Sequence, residues 1–349
     1  LMYSFDYMKR YTSQGKYYAL FFLMVAGMNG VVITGDFFNL FVFLEIASIA
    51  SYVLVGFGVE QEELEASFKY IVQGSIGSAF ILLGVGIIYA TFGSLNMAQV
   101  AQKVKAGGFN KNLMYFALSF LIMGFSLKAA LFPFHAWLPD AHPSAPAPIS
   151  AMLSGLLVKA IGVYSIIRIT YNIFALNTQM KQLFLVIGSL SMIIGVILAI
   201  GQWDYKRLCA YHSISQLGYI MIGFGIGTKL GIIGGIFHLL NHSVFKSLLF
   251  LNAGAVEYRT KTRDLKKLGG IKDSMPIAGG TSMVASLSIS GIPPFNGFFS
   301  KVVIIFAGVS AGLYLYSALA VLGSILTLAS FLKVQKYGFF GKPVFKNIK

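Results

Sequence analysis

Four lysines, Lys128, Lys159, Lys246 and Lys301, stand inside runs of apolar residues where a cation has no ordinary place. A charge held in hydrocarbon is costly, so intramembrane ionisable residues are rare and mark ion pathways, proton relays or ligand contacts. Burial favours the neutral amine over the ammonium, which suits a lysine to taking up and passing on a proton. Snorkelling to an interface is the other use of a long cationic side chain, but Lys128 and Lys159 both stand far from a span end. His238, His242 and Lys246 recur at four-residue spacing and share one helix face. Histidine changes its charge near physiological pH, as a relay member must. Packing histidines bonded to the helix backbone are the plainer reading.

Glu45 lies within the apolar run Phe41-Val-Phe-Leu-Glu45-Ile-Ala-Ser-Ile49. A carboxylate there must protonate or find a cation. It is either a structural ion pair with Lys128 or a proton carrier coupled to that lysine. His238-Leu-Leu-Asn-His242 has the outline of a zinc helix, yet it lacks the glutamate of H-E-x-x-H and any nearby cysteine or acidic third ligand. No metal and no bound cofactor is expected. The chain has no cysteine ligand set, haem motif or Rossmann fingerprint, so it carries no redox centre of its own, and no hydrolytic centre is visible.

These groups must be positioned by helices. Of 349 residues, 56% are apolar and 11% charged, against roughly 25% charged in a soluble domain. The chain is therefore an integral membrane protein, and its net charge of +15 does not indicate nucleic-acid binding. A spanning helix takes about 20 apolar residues. Ten spans satisfy this: 17–35, 37–57, 67–92, 112–132, 147–170, 180–201, 207–227, 229–255, 275–291 with 296–310, and 312–335. None alternates like a barrel strand, so the class is all-α polytopic. Ser94 to Lys105 reads as a short interfacial helix, and Glu60 to Glu65 as a solvated helix start.

Alternating loops divide the cations unequally: 17 Lys/Arg on the side of residues 1–16 and 6 on the other. That excess places residues 1–16, 257–273 and the C-terminus in the cytoplasm. The four lysines above are the cations that loop topology leaves over. Asp36, Asp140, Asp204, Lys206 and Arg207 sit at span ends and read as caps and topology signals. Leu1 to Tyr18 lacks the apolar stretch of a cleavable signal peptide. Because the chain opens with Leu1 in an expected loop, further helices upstream are expected.

A second regularity divides the spans into two groups of five, 17–170 and 171–335, between an N-terminal segment 1–16 and a basic tail 336–349. The fourth span of each group is broken by proline, at Pro133 and at Pro293-Pro294, with Lys128 before one break and Lys301 after the other. Five is odd, so consecutive groups insert with opposite orientation. Paired interrupted helices in corresponding positions are the signature of an inverted-repeat transporter. His135 and His142 flank the first break and, with Asp140, are candidates for admitting protons from one side.

Several linked motifs carry a wider likeness. They are Gly35-Asp-Phe-Phe-Asn-Leu-Phe-Val-Phe-Leu-Glu45, Lys128 with Pro133-Phe-His-Ala-Trp-Leu-Pro139-Asp-Ala-His142, and Pro148-Ile-Ser-Ala151 with Lys159. The second half adds Asp204-Tyr-Lys-Arg-Leu-Cys-Ala-Tyr-His-Ser-Ile-Ser-Gln-Leu-Gly218, then His238 to Leu251 and Gly291 to Lys301. The sequence resembles the antiporter-like membrane subunits shared by respiratory complex I, Mrp-type Na⁺/H⁺ antiporters and membrane-bound hydrogenases. It looks most similar to the Mrp D-type and hydrogenase versions.

The resemblance implies a proton-translocating, or Na⁺/H⁺ exchanging, subunit that works with other membrane subunits in the cell membrane. Glu45 and Lys128 would be the coupled acid–lysine pair and Lys159 the bridging lysine. His238, His242 and Lys246 would form the central hydrated relay, with Lys301 as the terminal lysine. The family core has about fourteen helices, so three before and one after the ten seen here are expected elsewhere. An independent secondary transporter for Na⁺ or a small solute is the alternative.

Overall fold

The computed structural model describes residues 1–11 and 13–342, which are helical with no strand among them. The helices are α1 Met2–Tyr7, α2 Gln14–Ile33, α3 Phe37–Val55, α4 Gln61–Phe92, α5 Met97–Ala106, α6 Lys111–Lys128 and α7 Leu138–Ser144. They continue as α8 Ala147–Ile173, α9 Thr178–Ile200, α10 Tyr205–Ile226, α11 Lys229–Thr260 and α12 Ile271–Ser274. Then come α13 Pro276–Ser290, α14 Asn296–Ser310 and α15 Tyr314–Phe339. Asp36, Asn96, Asn110, Asn177, Asp204 and Thr228 start their helices by accepting hydrogen bonds from backbone N–H groups two or three residues on, as good N-caps do.

Seven helices are long and apolar enough to cross a bilayer: α2, α3, α4, α8, α9, α11 and α15. Large apolar side chains such as Phe22, Leu83, Ile197, Val244 and Ile325 stand exposed on the outside. Helix α10 falls outside the seven because it is polar. In α10 all residues but Arg207 and Tyr211 are buried. Its neighbours sheath it, so it need not be apolar. It packs tightly on α9 where Gly218 and Gly188 face each other, each allowing the other's backbone to approach.

The helix expected over 112–132 ends at Lys128. Ala130 takes a left-handed φ of 52°, and Leu131 N–H turns back to the carbonyl of Ser126 at 3.0 Å, which closes the helix. The last helix runs past the expected end at 335 to Phe339, and residues 343–349 of the expected basic tail lie outside the described residues. Helices α4 and α11 have 32 residues each, about 48 Å long at 1.5 Å per residue. Each exceeds a hydrocarbon core of about 30 Å, and their overshooting ends meet on one face. Two backbone bridges stand in corresponding places, Asp36 with Asn96 and Asp204 with Asp264. In each, the turn before α3 or α10 pairs with the segment just after α4 or α11.

Candidate functional site: a buried line of lysines and histidines

Lys128, the last residue of α6, is 2% exposed. Its Nζ donates to Ser48 Oγ at 3.0 Å and to Tyr52 OH at 2.9 Å, and stands 3.6 Å from Glu45 Oε1. Positions 45, 48 and 52 lie on one face of α3, so the lysine meets a carboxylate, a hydroxyl and a phenol in succession along that helix. Ser78 of α4 donates to Glu45. The Glu45 side chain is 27% exposed. It reaches the outer wall of the chain between α3 and α4 instead of being enclosed.

Lys159 sits in a widened stretch of α8, Leu153–Val163, wound as a π-helix, a form that recurs at functional sites. Its Nζ donates to the carbonyls of Ser154 and Gly155, the latter at 3.0 Å. Lys246 donates to the carbonyl of Cys209 on α10. Lys301 reaches back across the second break to the carbonyl of Ile289 at 2.8 Å, with its Nζ 4.5 Å from the Tyr219 ring centre. That carbonyl belongs to the last turn of α13, where helix ends leave acceptors free. Among the described residues, none of these three lysines has a carboxylate within ion-pair distance.

His238 and His242 stack at 6.3 Å between ring centres. His238 bonds Ser300 Oγ through Nδ1 at 2.9 Å and Gln216 Oε1 through Nε2 at 3.1 Å, which occupies both nitrogens. Neither nitrogen of buried His242 has a protein partner. It lies within electrostatic reach of Lys159, Lys246 and Lys301. The protein thus gathers the second-half residues and Lys159 around one centre on α10, while Lys128 and Glu45 form a node of their own. No group of three His, Cys, Asp or Glu is assembled as for a metal ion among the described residues.

The uptake candidates divide. Asp140 is a surface group, paired with Lys69 at 3.1 Å and Arg207 at 3.3 Å. His135 lies in the break with Nδ1 unpartnered. His142 is wholly buried with neither nitrogen partnered, within electrostatic reach of Lys206, Lys246 and Lys159.

Some residues were not singled out by the sequence. Lys206, expected as a topology signal, is 2% exposed and pairs with Glu257 at 2.7 Å. Both line a polar cavity of about 630 Å³ formed where α4 and α11 overshoot. Arg263 closes part of it by pairing with Asp204 at 3.0 Å and Glu257 at 3.6 Å. At its rim, burial pushes the Tyr11 phenol up in pKa, so it stays a neutral donor. Glu63, expected in a solvated helix start, is 7% exposed and tucked against Gly58. His212 is buried and bonds Ser330 Oγ at 2.8 Å. The polar run of α10 was its only sequence signal.

Residues 34–327 match the family described as NADH:quinone oxidoreductase/Mrp antiporter, transmembrane region. The chain belongs to this family. Over 327 residues it is 40% identical to the D subunit of the Na(+)/H(+) antiporter of Alkalihalophilus pseudofirmus, covering 93% of this chain and 66% of that protein. Over 339 residues it is 38% identical to the N subunit of the NADH-quinone oxidoreductase of Desulforudis audaxviator, covering 96% and 67%. A chain of the Mrp complex from Dietzia superposes with a TM-score of 0.90 and 35% identity, over 95% of this chain and 62% of that one. The chain spans about two thirds of the length of the curated relatives it matches.

Proposed function

We propose that the chain is the cation-translocating part of a multisubunit membrane complex and carries protons, exchanged for Na⁺ in an Mrp-type assembly. The relay runs from Glu45 and Lys128 through Lys159, His242, His238 and Lys246 to Lys301. The observation that carries this reading is the set of three buried lysines, Lys159, Lys246 and Lys301, which donate only to backbone carbonyls or an aromatic face. A permanent ammonium without a counter-ion is a poor tenant at membrane depth. An amine that accepts a proton and hands it on explains all three. The two unpartnered nitrogens of His242, within electrostatic reach of all three, suit bridging water, because buried polar groups rarely go unsatisfied.

Further elements belong to the same reading. The seven apolar helices, with α6–α7, α10 and α13–α14, make ten spans in two inverted sets of five, residues 17–170 and 171–335. The corresponding backbone bridges and the two broken fourth members support that division. The face holding residues 1–11, the polar cavity and residues 257–264 is cytoplasmic, by the excess of cations on it. His142, two residues before Ser144 at the cavity wall, admits protons from that side, with Asp140 and His135 as its outer and inner neighbours along the break. Glu45, at the outer wall, is where an adjoining subunit's charge would act. Partner subunits, the bilayer and protons or Na⁺ are its associates, and redox chemistry belongs to other chains.

The test uses the complete complex in everted membrane vesicles. Lys159→Ala and Lys301→Ala are each expected to lower cation-driven proton movement by at least about a hundredfold, the usual worth of a positioned proton-transfer group, with subunit levels unchanged. Parental rates in both would refute the relay.

A further inference from the structure

We infer that Tyr52 is a positioning residue that holds Lys128 off Glu45 and so sets how readily the pair opens; this rests on the relay reading above. The lysine has a carboxylate on the same face of α3 one to two turns away, yet it stands 3.6 Å from Glu45 and takes the hydroxyls of Tyr52 at 2.9 Å and Ser48 at 3.0 Å instead. A charge-assisted pair in direct contact closes to about 2.8 Å. The lysine is parked just short of that.

The seat of the phenol is built. A Cβ placed on Gly74 of α4 would lie 2.0 Å from the Tyr52 hydroxyl and 2.6 Å from its ring carbon Cζ, so only glycine leaves room for the phenol there. The Tyr52 ring meets Tyr70 edge-on at 4.5 Å, and Tyr70 stacks flat on Trp137 at 4.1 Å. Trp137 Nε1 donates to the carbonyl of Leu127 at 3.0 Å, one residue before the lysine. Ser51 donates to the Tyr70 hydroxyl at 3.1 Å. A closed loop of contacts thus runs from Lys128 through Tyr52, Tyr70 and Trp137 back to the end of α6. Any movement of the broken segment that carries Trp137 is transmitted to the phenol, and through it to the distance between lysine and glutamate.

The experiment takes the complete complex with Tyr52→Phe, Gly74→Ala or Ser48→Ala in this chain, and Gly86→Ala as a control whose added Cβ meets nothing within 4 Å. Cryo-electron microscopy reads the separation of Lys128 and Glu45, and vesicle assays read cation exchange. Tyr52→Phe and Gly74→Ala should bring Nζ and Oε1 to about 2.8 Å and slow exchange about tenfold, in keeping with the cost of small misplacements. Gly86→Ala should change neither. Should Tyr52→Phe fail to assemble, Ser48→Ala removes the other holding hydroxyl and is expected to shorten the distance likewise. A separation that stays at its original value overturns the assignment, as does a shortened one with unaltered exchange. Undiminished exchange in Lys128→Ala would instead sink the relay itself, whatever the distances show.

Discussion

Lys128→Ala in the assembled complex is expected to reduce proton movement about a hundredfold or more while the subunit still accumulates. The lysine is the point where Glu45, Ser48 and Tyr52 converge, and no other described cation lies within ion-pair distance of Glu45. Removing it leaves a carboxyl that Ser78 and the partly open outer wall can satisfy in its protonated form. Folding is therefore spared and transport is not. If the pair were purely structural, the order would reverse: subunit levels would fall and the surviving complexes would exchange cations normally. Measuring subunit abundance by immunoblot beside exchange in the same vesicles separates the two. Normal exchange per assembled complex would sink the carrier role.

Gly218→Val should have a large effect on the fold. A Cβ at Gly218 would lie 2.4 Å from the carbonyl oxygen of Gly188 and 2.5 Å from the backbone nitrogen of Met192. Neither atom is the end of a flexible side chain, so α9 and α10 must part. Overpacking against backbone costs about 3 kcal/mol, a large share of a typical folding free energy. The loss would also reach the proposed relay, because Gln216 and Tyr219 flank this residue and contact His238 and Lys301. A thermal unfolding curve of the purified complex should shift to lower temperature. An unchanged midpoint with parental yield would show that the two helices separate without penalty.

What the sequence made readable follows the range of each cause. Lys128 and Lys301 could be singled out as buried because proline and glycine punctuate the chain locally beside them. Lys159, Lys246 and the histidines of α11 were visible because a charge in an apolar run needs no partner to be conspicuous. Lys206 was not, since it stands at a helix start, and only the packing of Ala145 and Glu257 around it makes it buried. Tyr52 and Tyr219 look like any aromatic residue in a membrane span. Their uses depend on Gly74 of one helix and Lys301 of another, far away in the chain. That the Glu45 side chain is partly open to the outside could not be read from the sequence, because nothing local says which face of α3 is covered. The seven helices of sufficient apolarity and the ten expected spans differ at α6, α10 and the α13–α14 pair, which carry or adjoin the breaks and the polar centre.

The sheathing of α10 bears on how the protein is made. Tyr205–Ile226 is not apolar enough to rank with the seven, and a segment leaving the ribosome is judged by lipid before its neighbours exist. Alone, it should pass through the translocation channel into the lumen. It should be retained only when α9 is already waiting to receive its glycine face, or when α11 follows to cover the other. Synthesis of this region is then obligatorily cooperative, a hairpin or trio entering as one unit. A glycosylation-mapping reporter carrying 205–226 singly and another carrying 178–226 would register the difference, and retention of the single segment would refute it. The helix that would seat the centre of the proposed relay is among those the membrane would reject on their own merits.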